Sequence, residues 1–443
     1  MKITSLSLIN YRCYGKIHID FDSDMTVLVG RNGQGKTAIL DAVAVALGPY
    51  LGGFDQSKGQ HFSNQDARRV PHEQEEGRVN METLYPVRLK AIGHFLDKDL
   101  VWERSRKSLK GRTTIKESAS LVQLAKDLQK AVRQGEDLTL PLLAYYGTGR
   151  LWKEKRLTEK KQAGGVESRL SGYTDCLNPE SSYRAFVDWL RMETMVDYEK
   201  QLALIERGEP VEPSKQGRLL SSIQRSVNTA IKPSGWKNIR FSPSAREVVA
   251  EHPEYGVLPV STLSDGIRNM IGLVADIAYR SVRLNPHLGN DAVQETPGIV
   301  LIDEVDMHLH PEWQQVVLRD LKHPGAFPQI QFIVTTHSPQ VLSTVRKEHI
   351  RILEAGEETA PIPLARTFGE TSNDVLETVM HTPFRPDLEH VRDLDDYMHL
   401  IDRGLYRGKD AKSLRQKLEK VLGSDHRDLL RADRIIRRKE ILG

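Results

Sequence analysis

The chain has 443 residues, with 63 Lys+Arg against 60 Asp+Glu, a formal charge of +3 and two cysteines. The near-balance of charge excludes a basic DNA-coating protein, and 39% hydrophobic with 28% charged residues excludes a disordered chain. Cys13 and Cys176 alone cannot build a disulfide framework or a cysteine-rich zinc site. No apolar run approaches the roughly 18 residues of a membrane helix, and the N-terminus lacks an apolar secretion segment. The expectation is a soluble, cytoplasmic protein of about two or three domains without a membrane association.

In chain order, Ile17-His18-Ile19-Asp20-Phe21-Asp22 alternates apolar and polar residues, as a half-buried strand does. Met25-Thr26-Val27-Leu28-Val29 is a short apolar run suited to a strand covered on both faces, and it stops at Gly30. From Lys36, the recurrence of Ile39, Leu40, Val43 and Leu47 predicts a helix ending near Gly48-Pro49. Helices are predicted over Leu121 to Arg133 and Ser181 to Ile205, and a loop over Glu206 to Gly217. Strands are expected around Ile239 to Phe241 and Val257 to Val260. The face formed by Ile267, Met270, Ile271, Val274 and Ile277 predicts another helix. Gly298 to Ile302 and Phe332 to Thr336 read as buried strands separated by a helix from Pro311, and such alternation argues for an α/β core. From Leu388 onward the pattern is charged and helical.

The octapeptide Gly30-Arg31-Asn32-Gly33-Gln34-Gly35-Lys36-Thr37 fits G-x-x-x-x-G-K-[ST] and lies between a predicted strand and a predicted helix. Its glycines let backbone N–H groups wrap phosphates, Lys36 reaches the β- and γ-phosphates, and the Thr37 hydroxyl ligates Mg²⁺. Asp303, at the end of a buried strand, is placed to hold that Mg²⁺ opposite Thr37, and Glu304 next to it to polarise an attacking water. The expected cofactors are therefore ATP and Mg²⁺. Leu263-Ser264-Asp265-Gly266 opens a helix, where Ser-x-Gly commonly serves as an N-cap. His337 ends a strand, where a lone histidine is commonly a satisfied core residue.

Taken in order, these elements resemble the nucleotide-binding domain of the ABC ATPase superfamily. The resemblance implies that Ser264, Asp265 and Gly266 form the signature, with Asp265 in place of the commoner glycine. It implies further that Asp306 is the D-loop aspartate and that His337 is the switch histidine acting with Glu304. In that family two subunits sandwich two nucleotides, so Ser264 and Gly266 of one copy would touch the γ-phosphate held by the other. For the family's Mg²⁺-contacting glutamine the sequence offers Gln65 first, with Gln60 and Gln74 also open. Asn10-Tyr11-Arg12-Cys13-Tyr14, together with Asn32-Gly33, is similar to RecF/SMC-type ATPases and implies that Arg12 joins the ATP site. Asp303-Glu304-Val305-Asp306-Met307-His308-Leu309-His310-Pro311 resembles the overcoming-lysogenization (OLD) ATPases. His308 and His310 lack further ligands in sequence and read as D-loop structure rather than a metal site.

Four further stretches resemble the ATPase subunit (PtuA) of Septu-type and retron-associated anti-phage systems. They are Pro141 to Trp152, Arg169 to Leu177, Thr367-Phe368-Gly369 and Asn373-Asp374-Val375-Leu376. This resemblance implies a homodimer or higher homo-oligomer working with a separate, PtuB-like HNH endonuclease. Retron-linked versions add a reverse transcriptase and its DNA–RNA product (msDNA). OLD nucleases carry a Toprim domain after the ATPase, whereas here the residues beyond Gly356 read as helices. Asp393-Leu394-Asp395 falls on an amphipathic helix face, so no nuclease is expected in the chain itself.

Arg407 to Gly443 carries twelve Lys/Arg against six Asp/Glu. The stretch reads as an exposed helix face, with nucleic acid or an acidic partner surface as its alternative role. The expected fold is α/β, an ABC-ATPase-like P-loop NTPase with a mixed sheet. Its expected parts are an N-terminal ATPase half (1–65), a mostly helical insertion (66–237), a C-terminal ATPase half (238–356) and a helical C-terminal region (357–443). The functional expectation is an ATP-hydrolysing subunit of an anti-phage complex. Two alternatives remain: a RecF/SMC-like repair ATPase acting directly on DNA, and a nucleotide-stabilised scaffold without significant turnover.

Overall fold

The alternation that begins at Ile17 belongs to an antiparallel pair, β1 (Lys2–Tyr11) with β2 (Tyr14–Asp20). This is a computed structural model, which describes residues 1–73, 79–96, 98–149, 168–179, 184–383, 385 and 388–442. Next come β3 (Met25–Val29), β4 (Arg69–Glu73), β5 (Val79–Thr83), β6 (Val87–Phe95), β7 (Lys98–Arg106) and β8 (Leu142–Tyr146). The remaining strands are β9 (Lys237–Ser242), β10 (Glu247–His252), β11 (Gly256–Pro259), β12 (Gly298–Ile302), β13 (Ile330–Thr335) and β14 (Ile350–Ile352). The main helices are α1 (Lys36–Leu51), α2 (Ala119–Arg133), α3 (Arg184–Glu206), α4 (Lys215–Ala230) and α5 (Asp265–Leu284). Three more follow: α6 (Glu389–Asp402), α7 (Lys409–Leu422) and α8 (Arg427–Leu442). No helix among the described residues is long and apolar enough to cross a membrane.

The chain divides into two units, Met1–Val375 and Leu376–Gly443. In the first, five strands form a parallel sheet in the order β14-β3-β13-β12-β8. Strands β3, β8, β12 and β13 are buried at every position, which is why they read as continuous apolar runs rather than alternating ones. A second, antiparallel sheet has the order β2-β1-β6-β7. Gln331 of β13 joins the two sheets: its amide oxygen accepts from Ile3 N (2.9 Å) and its amide nitrogen donates to Ile3 O (2.8 Å) and Asp22 O (2.7 Å). A buried amide satisfied in this way fixes one register between the layers. A third sheet, β11-β10-β9, lies elsewhere in this unit.

Two expectations need correction. The segment 66–237 is not mostly helical: β4 to β8 all fall inside it. β6 alternates buried and exposed residues along its whole length, and β8 is the edge strand of the parallel sheet. The insertion therefore completes both sheets of the ATPase unit instead of standing apart from it. The first helix also continues past Gly48-Pro49 to Leu51. Proline cannot donate to the carbonyl four residues back, and here the Arg104 guanidinium donates to that carbonyl, Val45 O, at 2.6 Å. The side chain of β7 thus supplies the bond that the proline removes.

In the second unit, α6, α7 and α8 pack around Leu394, Tyr397, Ile401, Ala411, Leu418, Leu429 and Ala432. Arg415 of α7 donates to Glu419 at 2.6 Å and to Asp433 of α8 at 2.7 Å. Within the Asp393-Leu394-Asp395 stretch, Leu394 is buried, Asp393 pairs with Lys417 (2.8 Å) and Asp395 lies 4.0 Å from Arg385. These carboxylates stabilise a helix surface and do not converge on one point.

Candidate functional site

The strand order places the ends of β3, β13 and β12 side by side, so residues 30, 303 and 337 meet although they are remote in sequence. Ligands of parallel sheets bind beyond these carboxyl ends. The loop between β3 and α1 turns on Gly33 and Gly35, whose φ angles are 81° and 84°. A Cβ at Gly35 would lie 2.5 Å from Cys13 Sγ, whereas at Gly33 the space is open, as backbone N–H groups facing a phosphate require. The side chain of Gln34 folds back to accept from Arg31 N (2.5 Å), and its carbonyl accepts from the Tyr14 hydroxyl (2.6 Å). Arg31 and Asn32 are exposed at the loop tip.

Lys36, at the start of α1, is 7% exposed and donates to Gly30 O (2.8 Å) and Arg31 O (3.2 Å). Burial lowers its pKa, against the opposing pull of Asp303, Glu304 and Asp306. The Thr37 hydroxyl donates to Asp303 Oδ2 at 2.7 Å. Two oxygens so spaced are close to the roughly 2.9 Å edge of an octahedron whose ligands lie 2.0–2.1 Å from Mg²⁺. The donor set is hard oxygen, so Thr37 and Asp303 fit that ion. The other oxygen of Asp303, Oδ1, accepts from Thr335 Oγ1 at 2.6 Å.

Glu304 follows with φ at 46°, its N–H donating to the same Thr335 Oγ1 at 2.7 Å. A left-handed glutamate is an uncommon, mildly strained conformation, of the kind that persists where the surroundings impose it. It sends consecutive carboxylates in different directions from one strand end. Asp306 Oδ1 accepts from Thr336 Oγ1 at 2.5 Å. Burial lowers the pKa of His337, as does the nearby charge of Lys36, while Glu304, Asp306 and Asp303 oppose the shift. A histidine held neutral in this way can accept or relay a proton.

Ser264 occupies the N-cap position of α5, but its side chain makes no capping bond. Asp265 sits in the first helical turn, where its charge suits the helix dipole, and pairs with Arg268. Gly266 lies against the backbone of the turn that follows β12, since a Cβ there would come 2.3 Å from His308 O. His310 accepts from Glu312 N at 3.4 Å as the cap of the next short helix. Among the described residues, none of Ser264, Asp265 and Gly266 hydrogen-bonds to residues 30–37 of the same chain.

Two further residues expected in the site, Arg12 and Gln65, form no hydrogen bond with residues 30–37 among the described residues. The Arg12 guanidinium is held by carboxylates, with Nη1 donating to Asp41 Oδ2 (2.6 Å) and Nε to Asp66 Oδ1 (2.9 Å). Arg12 therefore ties α1 to the turn that carries Gln65, rather than presenting a free cation to phosphate. Gln65 is exposed in a single 3-10 turn (Asn64–Asp66) capped by Ser63. Gln60 donates to Leu177 O at 3.1 Å, a packing role, and Gln74 lies outside the described residues.

Sequence reasoning missed Thr335, Thr336 and Tyr14. For the threonines a signal was available: two hydroxyls end an apolar run that reads as a buried strand, and buried hydroxyls need partners. Thr335 is a positioning residue, because it holds Asp303 and the Glu304 backbone together. A Thr335→Val protein keeps the shape and loses both bonds. Its kcat is expected to fall about ten- to a hundredfold, on the scale of one or two hydrogen bonds to charged groups. The Mg²⁺ concentration for half-maximal rate should rise as well. Steady-state phosphate release across a Mg²⁺ titration measures both, and an unchanged Mg²⁺ dependence would leave Thr335 a purely structural role.

Two family models match the chain. Residues 5–207 match a model described as "AAA domain", and residues 211–343 match "AAA domain, putative AbiEii toxin, Type IV TA system". The "Retron Vc95 probable ATPase" of Vibrio cholerae serotype O1 biovar El Tor is 26% identical over 461 residues, covering 94% of this chain and 86% of the relative. The "Septu protein PtuA" of Bacillus mycoides (strain KBAB4) is 44% identical over 96 residues, which is 22% of this chain and 12% of that protein. The solved SMC head domain from Thermotoga maritima aligns with 81% of this chain and 97% of its own at 16% identity and a TM-score of 0.42. With the phosphate loop and the paired acids in one α/β unit, the chain carries P-loop ATPase domains similar to the AAA-type models over residues 5–207 and 211–343.

Proposed function

We propose that the chain is the ATP-hydrolysing subunit of a prokaryotic anti-phage defence complex, in which its nucleotide state regulates a partner HNH endonuclease. The observation that carries this reading is the near end-to-end similarity to a retron ATPase, covering 94% of this chain. The shorter similarity to a Septu PtuA points the same way. The resemblance of the whole motif set to ABC ATPases supplies the mechanism.

Backbone N–H groups of residues 33–37 and the Lys36 ammonium bind the phosphates of ATP, and Thr37 and Asp303 hold Mg²⁺, with Gln65 as the candidate third contact. The ion, when bound, neutralises charge on the β- and γ-phosphate oxygens. Glu304 accepts the proton of the attacking water, and His337 orients the γ-phosphate side of the site. A second copy contributes Ser264 and Gly266, whose hydroxyl and N–H complete the cage. The N–H groups at the start of α5 then face the γ-phosphate, with Asp306 lining the path between the two sites. The closed pair is favoured while ATP bridges both copies and opens after hydrolysis, a population shift set by differential binding.

The test is co-expression with an HNH endonuclease subunit, followed by co-purification and a DNA-cleavage assay with and without ATP. The expected result is a stable complex whose nuclease activity changes with nucleotide. ATP-dependent DNA binding by the isolated chain, with no complex formed, would instead favour the repair-type reading.

A further inference from the structure

Helix α3 buries Phe186, Trp189 and Leu190 in its N-terminal half, but beyond them it turns polar residues inward and large apolar ones outward. Leu190, Thr194, Asp197 and Gln201 line a cavity of about 360 Å³ between α3, α4 and β9. Three of those four inward positions are polar. Asp197 is 7% exposed and needs two local donors, Ser214 Oγ (2.5 Å) and Gln201 Nε2 (2.7 Å). The outward side exposes Met192 (56%), Met195 (42%), Leu202 (58%) and Ile205 (58%), with Tyr198 (42%) at the rim of the cavity. Five large apolar side chains at three- and four-residue spacing form one stripe along the helix. A contiguous apolar stripe turned to water marks an interaction surface.

The stripe and its flanking charges indicate the occupant. Inverting the helix about a point between Tyr198 and Glu199 carries four of the five stripe residues onto one another, Met192 opposite Ile205 and Met195 opposite Leu202, while Tyr198 falls opposite Glu199. The same inversion sets Arg191 opposite Glu206, and both are exposed with no ionic partner among the described residues. A patch that is its own complement in shape and charge is the signature of an isologous, two-fold contact.

We propose that two copies of the chain pair through α3, antiparallel, with the Met192-to-Ile205 stripes in contact and Arg191 of each copy facing Glu206 of the other. This contact needs no nucleotide and uses none of the ATP-site residues, so it is separate from any ATP-bridged pairing. Met and Tyr suit such a seam, because methionine fills irregular gaps and tyrosine buries a large face while its hydroxyl stays wet.

The test is the solution mass of the full chain without nucleotide, by light scattering across a concentration series. The unmodified protein is expected at twice 50.2 kDa. Leu202→Glu, which puts two carboxylates into the seam, should give the single-copy mass with an unchanged circular dichroism spectrum. Arg191→Glu sets like charges at both ends and should weaken association at least about tenfold. The double variant Arg191→Glu with Glu206→Arg should restore it. A single-copy mass for the unmodified chain at its highest soluble concentration would overturn the proposal and leave the stripe to a different protein. Failure of the charge-exchanged double variant to recover would equally exclude this register.

Discussion

A Glu304→Gln protein is expected to bind ATP as tightly as the unmodified chain and to hydrolyse it about 10²- to 10⁴-fold more slowly, the range contributed by a positioned general base. The substitution preserves size and the hydrogen bond from the backbone N–H to Thr335 Oγ1 (2.7 Å), so the left-handed turn after Asp303 is retained. Asp303 keeps its bonds to Thr37 and Thr335, and the metal-binding pair stays intact. What is lost is only the capacity to take a proton from water. Equilibrium nucleotide titration and steady-state phosphate release separate the two effects. In the proposed defence complex the variant should remain ATP-bound, so phage plating should differ from that of the unmodified system. Turnover close to the unmodified rate would remove Glu304 from the catalytic role.

Lys36→Ala is expected to act one step earlier, on binding. The ammonium is almost enclosed and rests on the carbonyls of Gly30 and Arg31, where no carboxylate neutralises it directly. Burial lowers its pKa, yet the acids at the ends of β12 and the following turn hold it towards the charged form. Such a cation, preorganised at the mouth of a phosphate loop, should make two charge-assisted bonds to the nucleotide. At about 1.5–3 kcal/mol each, their loss weakens ATP binding by about 10²- to 10⁴-fold. Alanine is a strong helix former and suits the first position of α1, so thermal stability should change little. Calorimetric titration with ATP and Mg²⁺ measures the effect, and retained affinity would take Lys36 off the phosphates. The pair of variants distinguishes binding from turnover: one blocks the closed state from forming, and the other prevents its release.

Much of this site was legible because its chemistry is written in short, contiguous runs. The loop from Gly30 to Thr37 needs glycine at its turns and a lysine and hydroxyl at the helix start, all within eight residues of one another. Asp303 and Glu304 are adjacent and follow an apolar run, and His337 ends another. The helices α2 and α5 were equally readable from their apolar periodicity. Other features depend on partners distant in sequence. Arg12 looked like a phosphate ligand, but the fold provides it with Asp41 and Asp66 instead. Pro49 looked like a helix end, but Arg104, brought in on β7, bonds the carbonyl that the proline leaves. In the middle segment β4, β5 and β8 have only five residues each and become recognisable beside their sheet neighbours, whereas β6 runs to nine and its alternation is a period-2 signal that the sequence itself carries.

The sequence by itself determined that this chain grips a nucleoside triphosphate, since local geometry around a phosphate loop demands those residue types at that spacing. It also determined the order of the acids and the histidine that follow. Only the tertiary structure decided that β13 lies between β3 and β12, which brings Thr335 to Asp303 and places Lys36 near His337. Only it decided which face of α3 meets the rest of the protein. The physical reason is the same in both cases. Backbone conformation is dictated by neighbours along the chain, whereas strand order and helix facing are set by burial and hydrogen bonding between segments tens to hundreds of residues apart, which no local pattern records.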